Sequence, residues 1–422
     1  MHLLDLSALL VCVTAALAFL NVRVLHLPAA IGVTVGGLLI SLLLVVLTAL
    51  KVPFAQEAVE LVRKIQFDEF VFQGVLSFLL FAGALSVDTH ALWRLRGPVT
   101  VFALLSTALS TALVGGGTYL LLELVGLPTP LAYCLLFGAL ISPTDPVAVL
   151  GMLKEAHVPS RIETLVAGES LFNDGVGVVA FSVLAGVAAS SAAGHGPELS
   201  AGGVLRFFLQ EAGGGLLLGG FLGWLGFLAL KRVDDFVTEV LLTLGVVMAC
   251  TAIATHLHVS GPLAAVAAGL LMGSLTDWRP GALSSREKFD SFWHLTDELL
   301  NISLFSLLAL EIVAVKFSAS ALLAGLIALP LVLLARSVSV VLPAAALSRA
   351  HEFEPYTRRL MIWGGLRGAI SVALAFTVPA GPQRELFLVM TYVVVVFSII
   401  VQGLTVSRLA AQAASAADPE AS

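Results

Sequence analysis

Charge is what this 422-residue chain has least of. Only 12% of its residues are Asp, Glu, Lys or Arg, against about 25% in a soluble globular chain. That excludes a water-facing domain of ordinary composition. The net charge of −6 therefore says little about partners, and no nucleic-acid partner is expected. Cysteine is scarce too. Cys12, Cys134 and Cys250 are odd in number, lie in apolar runs and have no metal-ligand spacing. This argues against a disulfide framework and reads as three small buried hydrophobes. The N-terminus has no basic n-region and no obvious small-residue cleavage site, so its apolar run reads as a first spanning helix. No phosphate-binding G-x-x-x-x-G-K-[ST] loop occurs, so an ATP-driven pump would need another subunit. Gly168-Glu169-Ser170-Leu171-Phe172 has Phe where a nucleophile elbow needs its second glycine, which removes the hydrolase reading. The histidines form no metal pattern, and His256 and His258 read as residues of a loop edge.

What the chain has instead is apolar length: 59% of it is hydrophobic. A spanning helix needs roughly 20 mostly apolar residues. Thirteen stretches qualify as spans, at 3–22, 29–49, 69–87, 98–126, 130–153, 160–190, 203–230, 236–256, 262–276, 288–315, 319–346, 356–379 and 385–411. The fold class is thus an all-α polytopic membrane protein. The stretch from Ala55 to Phe67, with Arg63 and Lys64, reads as an amphipathic surface helix, and 412–422 as a short frayed tail. Alternate loops together with the tail hold 14 Lys and Arg, against five on the other side. The positive-inside rule then puts the N-terminus outside and the C-terminus in the cytoplasm.

Thirteen divides as six, one and six. The first unit is 1–190, the linking helix 203–230 and the second unit 236–411. A single linking span inverts the second unit relative to the first, and span five then corresponds to span twelve. These two carry the helix breakers: Ser142-Pro143-Thr144-Asp145-Pro146 in one, Gly364-Gly365-Leu366-Arg367-Gly368 in the other. Paired interruptions at matching positions point to a transporter binding site. Pro143 and Pro146 strip the carbonyls of Ala139 and Ser142 of their helical donors, and at membrane depth those carbonyls need another partner, a cation being one. Asp145 before Pro146 reads as a cap for the following half-helix, with direct cation contact the alternative. Thr144 is the better ligand candidate. The glycines of span twelve serve close packing, or unwinding that turns Arg367 toward the crossing.

Span six carries the chemistry. Residues 168–177 read Gly-Glu-Ser-Leu-Phe-Asn-Asp-Gly-Val-Gly, and charges at that depth mark ion paths, proton relays or counter-ions. On a helix Ser170 and Asp174 share a face, as do Glu169 and Asn173, while Glu169 and Asp174 diverge. The two carboxylates therefore have separate roles. Asp174 and Ser170 offer oxygens to a hard cation such as Na⁺. Burial raises a carboxylate's pKa and a bound cation lowers it, so one Asp holds a proton or a cation in turn. Glu169 lies roughly 14 Å from the inner end of its span, at 1.5 Å per residue. Arg336 lies at similar depth, and the two are expected to pair, with Asp297 and Glu298 as competitors for Arg336 or as partners for Arg367. Arg206 and Glu211 read as snorkelling, structural residues.

These three motifs, in this order and spacing, resemble the NhaP-type sodium/proton antiporters, prokaryotic relatives of the animal exchangers. The resemblance covers nearly the whole chain. It implies a thirteen-helix fold of two inverted six-helix repeats, a homodimer in the bacterial inner membrane, and electroneutral exchange of Na⁺ or Li⁺ for H⁺ by an elevator-like movement of a six-helix core. It implies no cofactor beyond the transported ions. Asp174 is then the exchanging carboxylate, Ser170 and Thr144 are cation ligands, Asn173 is a support, and Glu169 pairs with Arg336. A potassium/proton exchanger and, further off, a cation channel are the alternative readings. The chain departs from the family in one place. Leu79-Leu80-Phe81-Ala82-Gly83 has Ala82 where the family often has an acidic residue, and Asp88 farther along is a weak substitute.

Overall fold

The computed structural model describes residues 3–62, 67–192, 201–276, 283–349 and 351–417. It is almost entirely helical. Nine helices among the described residues are long and apolar enough to cross a membrane. In chain order, the first elements are α1 (Leu3–Leu20), α2 (Ala29–Ala49), α3 (Pro53–Val62), α4 (Phe67–Ser86) and α5 (Arg96–Leu124). Then come the half-helices α6 (Leu131–Ile141) and α7 (Val147–Glu155), the long α8 (Ser160–Ala192) and α9 (Ala201–Leu230). The remainder are α10 (Phe236–Leu257), α11 (Gly261–Thr276), α12 (Leu283–Glu311), α13 (Ala319–Leu347), the half-helices α14 (Thr357–Trp363) and α15 (Ala369–Thr377), and α16 (Pro382–Ala416). The surface helix expected before Phe67 is α3, and Arg63 and Lys64 lie outside the described residues. Residues 412–416, expected to fray, continue the last helix. Of the three cysteines, Cys134 and Cys250 are buried, but Cys12 is exposed, because it lies on the outward side of α1.

The helices pack as two groups. In one, α11 lies between α9, α10 and α4, while α2 and α1 pack on α12. Helix α11 is rich in Ala and Gly, so its neighbours approach closely. In the other group, α6 packs on α5 and α8, and α16 on α13 and α15. The seam between the groups runs where α8 meets α9 and α11, and where α15 meets α4 and α12. The Tyr392 hydroxyl of α16 crosses it, donating to the Leu308 carbonyl of α12 (3.2 Å). The outward surfaces remain apolar: Leu42, Leu217, Phe221, Leu326 and Leu334 are all exposed. This is what a lipid-facing surface requires, because nothing drives such side chains inward in hydrocarbon.

Prolines explain several local features. Pro343 sits inside α13 and deprives the Ser339 carbonyl of its helical donor. The Ser106 hydroxyl of α5 supplies the replacement at 2.5 Å. Pro143 and Pro146 end α6 and delay α7, leaving 142–146 unwound. Gly364, Gly365 and Gly368 do the same between α14 and α15.

Candidate functional site

The two unwound segments meet. Asp145 and Leu366 form an antiparallel bridge, in which the Asp145 amide donates to the Leu366 carbonyl at 2.8 Å. The carbonyls stripped by proline also find partners, and those partners are protein groups. Ala139 O accepts from the Ser142 amide (3.3 Å) and hydroxyl (2.9 Å). Ser142 O and Pro143 O both accept from Nη1 of the buried Arg367, at 2.5 and 2.9 Å. The partner that those carbonyls need is thus a protein group at Ala139 and Ser142, and not a cation, the other answer. A guanidinium from the opposite break takes the place, since it brings charge and several donors to one spot. Arg367 is held in turn. Its amide donates to Ser398 Oγ (2.9 Å), which donates to Gln402 Oε1 (2.8 Å), and Gln402 Nε2 reaches the Trp363 carbonyl (3.1 Å). Ser398 and Gln402 bound a π-helical turn of α16.

Sequence reasoning missed Ser398 and Gln402. Their signal was two polar residues four apart in an apolar run, but a packing serine looks the same. Asp145 does cap: its Oδ1 accepts the Val147 amide at 2.9 Å. Gly368 leaves room for this carboxylate, because a Cβ at 368 would lie inside it.

Helix α8 brings the rest of the site against the first break. Asn173 Oδ1 accepts the Thr144 amide (3.1 Å), and its Nδ2 donates to Thr144 Oγ1 (2.7 Å) and to Glu169 Oε1 (3.3 Å). The hydroxyls of Thr144 and Ser170 lie 3.1 Å apart. Thus Asn173 closes the amide and hydroxyl of Thr144 into one unit, as an orienting side chain would. Glu169 and Arg336 form a bidentate pair, Nη1–Oε1 at 2.6 Å and Nη2–Oε2 at 2.9 Å. Arg336 also donates to the Met361 carbonyl from Nε (3.1 Å) and Nη2 (2.7 Å). Gly365 permits this, since a Cβ there would stand 2.6 Å from Arg336 Nε.

Asp174 lies one turn beyond Ser170 on α8. It is 5% exposed, and its Oδ1 is buried with no hydrogen-bond partner among the described residues. The charges that act on it are those of Asp145, Glu169 and Arg367. Together with Arg336 these make three carboxylates and two guanidiniums, a cluster with one net negative charge when all five are ionised, buried apart from the half-buried Asp145.

Other expectations fall away. Glu298 is exposed, and the hydrogen bonds of Arg336 and Arg367 go elsewhere, so it supports neither arginine. Asp297 accepts from Asn301 Nδ2 at 3.2 Å. Ala82 is fully buried, and Asp88 is exposed and caps the turn Thr89–Arg94 through the Ala91 amide. Arg206 is exposed, but Glu211 does not snorkel with it: Glu211 turns toward Ser182 of α8. No group of three or more His, Cys, Asp and Glu that would hold a metal occurs among the described residues.

The family described as sodium/hydrogen exchanger, transmembrane, matches residues 8–412. The chain is 41% identical over 412 residues to the Na(+)/H(+) antiporter NhaP of Pseudomonas aeruginosa, covering 96% of each. It is 31% identical over 386 residues to the Na(+)/H(+) antiporter NhaH of Halobacillus aidingensis, covering 91% of each. In fold it resembles the sodium proton antiporter MjNhaP1 of Methanocaldococcus jannaschii, with a TM-score of 0.73 at 20% identity, over 98% of this chain and 100% of that one.

Proposed function

Because the chain belongs to the sodium/hydrogen exchanger family, we propose that it exchanges Na⁺ for H⁺, with Asp174 carrying the two ions in turn. It is a multi-pass integral membrane protein. The observation that carries the reading is Asp174 Oδ1, buried and without a hydrogen-bond partner among the described residues, beside the Thr144–Ser170 hydroxyl pair. A carboxylate left open at that depth needs a positive charge. A proton supplies it through one bond. A Na⁺ ion supplies it through several oxygens, and Asp174, Ser170 and Thr144 offer three within one turn of helix and one break. The two occupants compete for the same lone pairs, so each expels the other.

Asn173 and the Glu169–Arg336 pair hold Thr144 and the second break in register, and Arg367 ties the breaks together. Alternating access is then a sliding of the group that holds the breaks past its neighbour along the seam. Li⁺, the smaller hard cation, suits the same oxygens. The loop charges favour an N-terminus outside and a C-terminus in the cytoplasm, and the family resemblance favours a homodimer in the inner membrane acting in pH homeostasis.

The test is exchange in liposomes loaded with a pH-sensitive dye. Addition of Na⁺ or Li⁺ is expected to dissipate an imposed proton gradient. Asp174→Asn is expected to abolish the response while leaving the elution profile and melting temperature near wild type. A response confined to K⁺ would move the reading to potassium/proton exchange, and a fully active Asp174→Asn would move the site away from Asp174.

A further inference from the structure

Glu211 is the one titratable residue besides Arg206 in α9, and it is not used by the site around Asp174. It lies on the seam between the two helix groups. Its carboxylate accepts a hydrogen bond from the Ser182 hydroxyl of α8, and its Oε2 is buried without a partner among the described residues. Its backbone carbonyl accepts the Ser260 amide (3.0 Å), which fixes α9 to the turn before α11. The packing around it is apolar: Val179, Val183 and Leu263 lie against Phe208 and Ala212. A carboxylate with a free oxygen in such a seam is costly, and positions of this kind serve ions or protons.

Its place relative to Asp174 is set by helix geometry. Asp174, Val178 and Ser182 are spaced four apart and form one stripe of α8. Ser182 is two turns from Asp174, about 12 Å at 1.5 Å per residue. No residue of α8 from 175 to 192 is titratable, and none of α11 is. Arg206 is exposed, and His256 and His258, at the end of α10, are exposed too. Among the described residues Glu211 is thus the next ionisable group along this stripe, reached from the face where the 258–260 turn lies.

Resting on the reading of Asp174 as the exchanging carboxylate, we propose that Glu211, held by Ser182, is a transfer station for the exchanged ions. It receives a proton or a monovalent cation between Asp174 and the face of the 258–260 turn. The carboxylate takes the ion at its open oxygen and passes it on without any bond being made or broken other than O–H. It stands on the group opposite to Asp174, so sliding along the seam changes the distance between them.

The experiment compares wild type, Glu211→Gln and Glu211→Asp, in right-side-out and inside-out vesicles. Glu211→Gln is expected to raise the apparent KM for Na⁺ about tenfold, the equivalent of one lost interaction, on the side of the 258–260 turn alone. It should leave KM on the other side unchanged, and Glu211→Asp should recover most of the loss. An equal effect on both sides, or no effect on either, would overturn the proposal while leaving Asp174 as the exchanging residue. A second measurement does not depend on transport. Infrared difference spectra between about pH 5 and pH 9, a window that a buried Glu crosses, are expected to show a carboxyl C=O band that Glu211→Gln lacks. If that band survives Glu211→Gln, Glu211 does not exchange protons and the station is disproved, whether or not the protein transports.

Discussion

Glu169 and Arg336 sit 167 positions apart in the chain and meet through two short hydrogen bonds. Each balances the other's charge, and Arg336 also serves the Met361 carbonyl. Glu169→Gln and Arg336→Gln are each expected to destabilise the protein by about 3–5 kcal/mol, because one buried charge stands alone. Arg336→Gln should be the worse of the two, since Met361 loses its donors as well. The double variant should recover part of the loss, and detergent melting curves of all four proteins read the cycle. Purely additive losses would mean that the two side chains do not depend on each other. The pair was legible in sequence because both charges lie at one depth and neither is tolerable unpaired. The environment of Arg367 was not. A lone Arg among glycines can face a ligand, a carboxylate or a carbonyl, and the sequence does not choose between them. Glu298 misled for the same reason: a carboxylate in an apolar stretch looks like a partner until the helix shows which way it turns.

At the scale of elements, the crossing depends on space that only glycine leaves. Gly368 has an ordinary φ of −116°, so an alanine there meets no backbone strain and its whole effect is collision with Asp145. Gly368→Ala is expected to cost about 1–3 kcal/mol as an overpacked site and to suppress exchange. Gly116→Ala, in the middle of α5 with nothing within 4 Å of the added carbon, should be stabilising by up to about 1 kcal/mol. Melting temperature and liposome exchange separate the two. Equal behaviour of both variants would show that the crossing is loose. The two breaks could be located from proline and glycine alone, because those residues change the backbone directly. Their contact could not, because one backbone bridge leaves no mark in composition. The π-turn at Ser398–Gln402 was invisible for the same reason: its residues satisfy helix periodicity on both sides.

For the whole molecule, charge is the organising quantity. The cluster of Asp145, Glu169, Asp174, Arg336 and Arg367 has one net negative charge when all five are ionised, and one proton or one Na⁺ neutralises it. Exchange is therefore expected to be one for one and insensitive to membrane potential, which acts on moved charge at about 2.3 kcal/mol per charge per 100 mV. A potassium–valinomycin potential imposed on proteoliposomes should leave the equilibrium pH gradient unchanged. A shift would mean that a second group carries charge across together with Asp174, Asp145 first among candidates; a station such as Glu211, which only hands the same ion on, adds none. Apolar length and paired breaks made the membrane fold readable from sequence, while the division into two packed groups along a seam required coordinates. The crossing of the breaks, in turn, limits which changes the chain can accept. Neither break satisfies all of its own backbone. The carbonyls at 142 and 143 are completed from 367, and the amide at 145 by the carbonyl at 366. A change that unseats one break therefore leaves backbone groups of the other unpaired at membrane depth, where they find no water, so the two breaks form one unit and neither can be replaced alone.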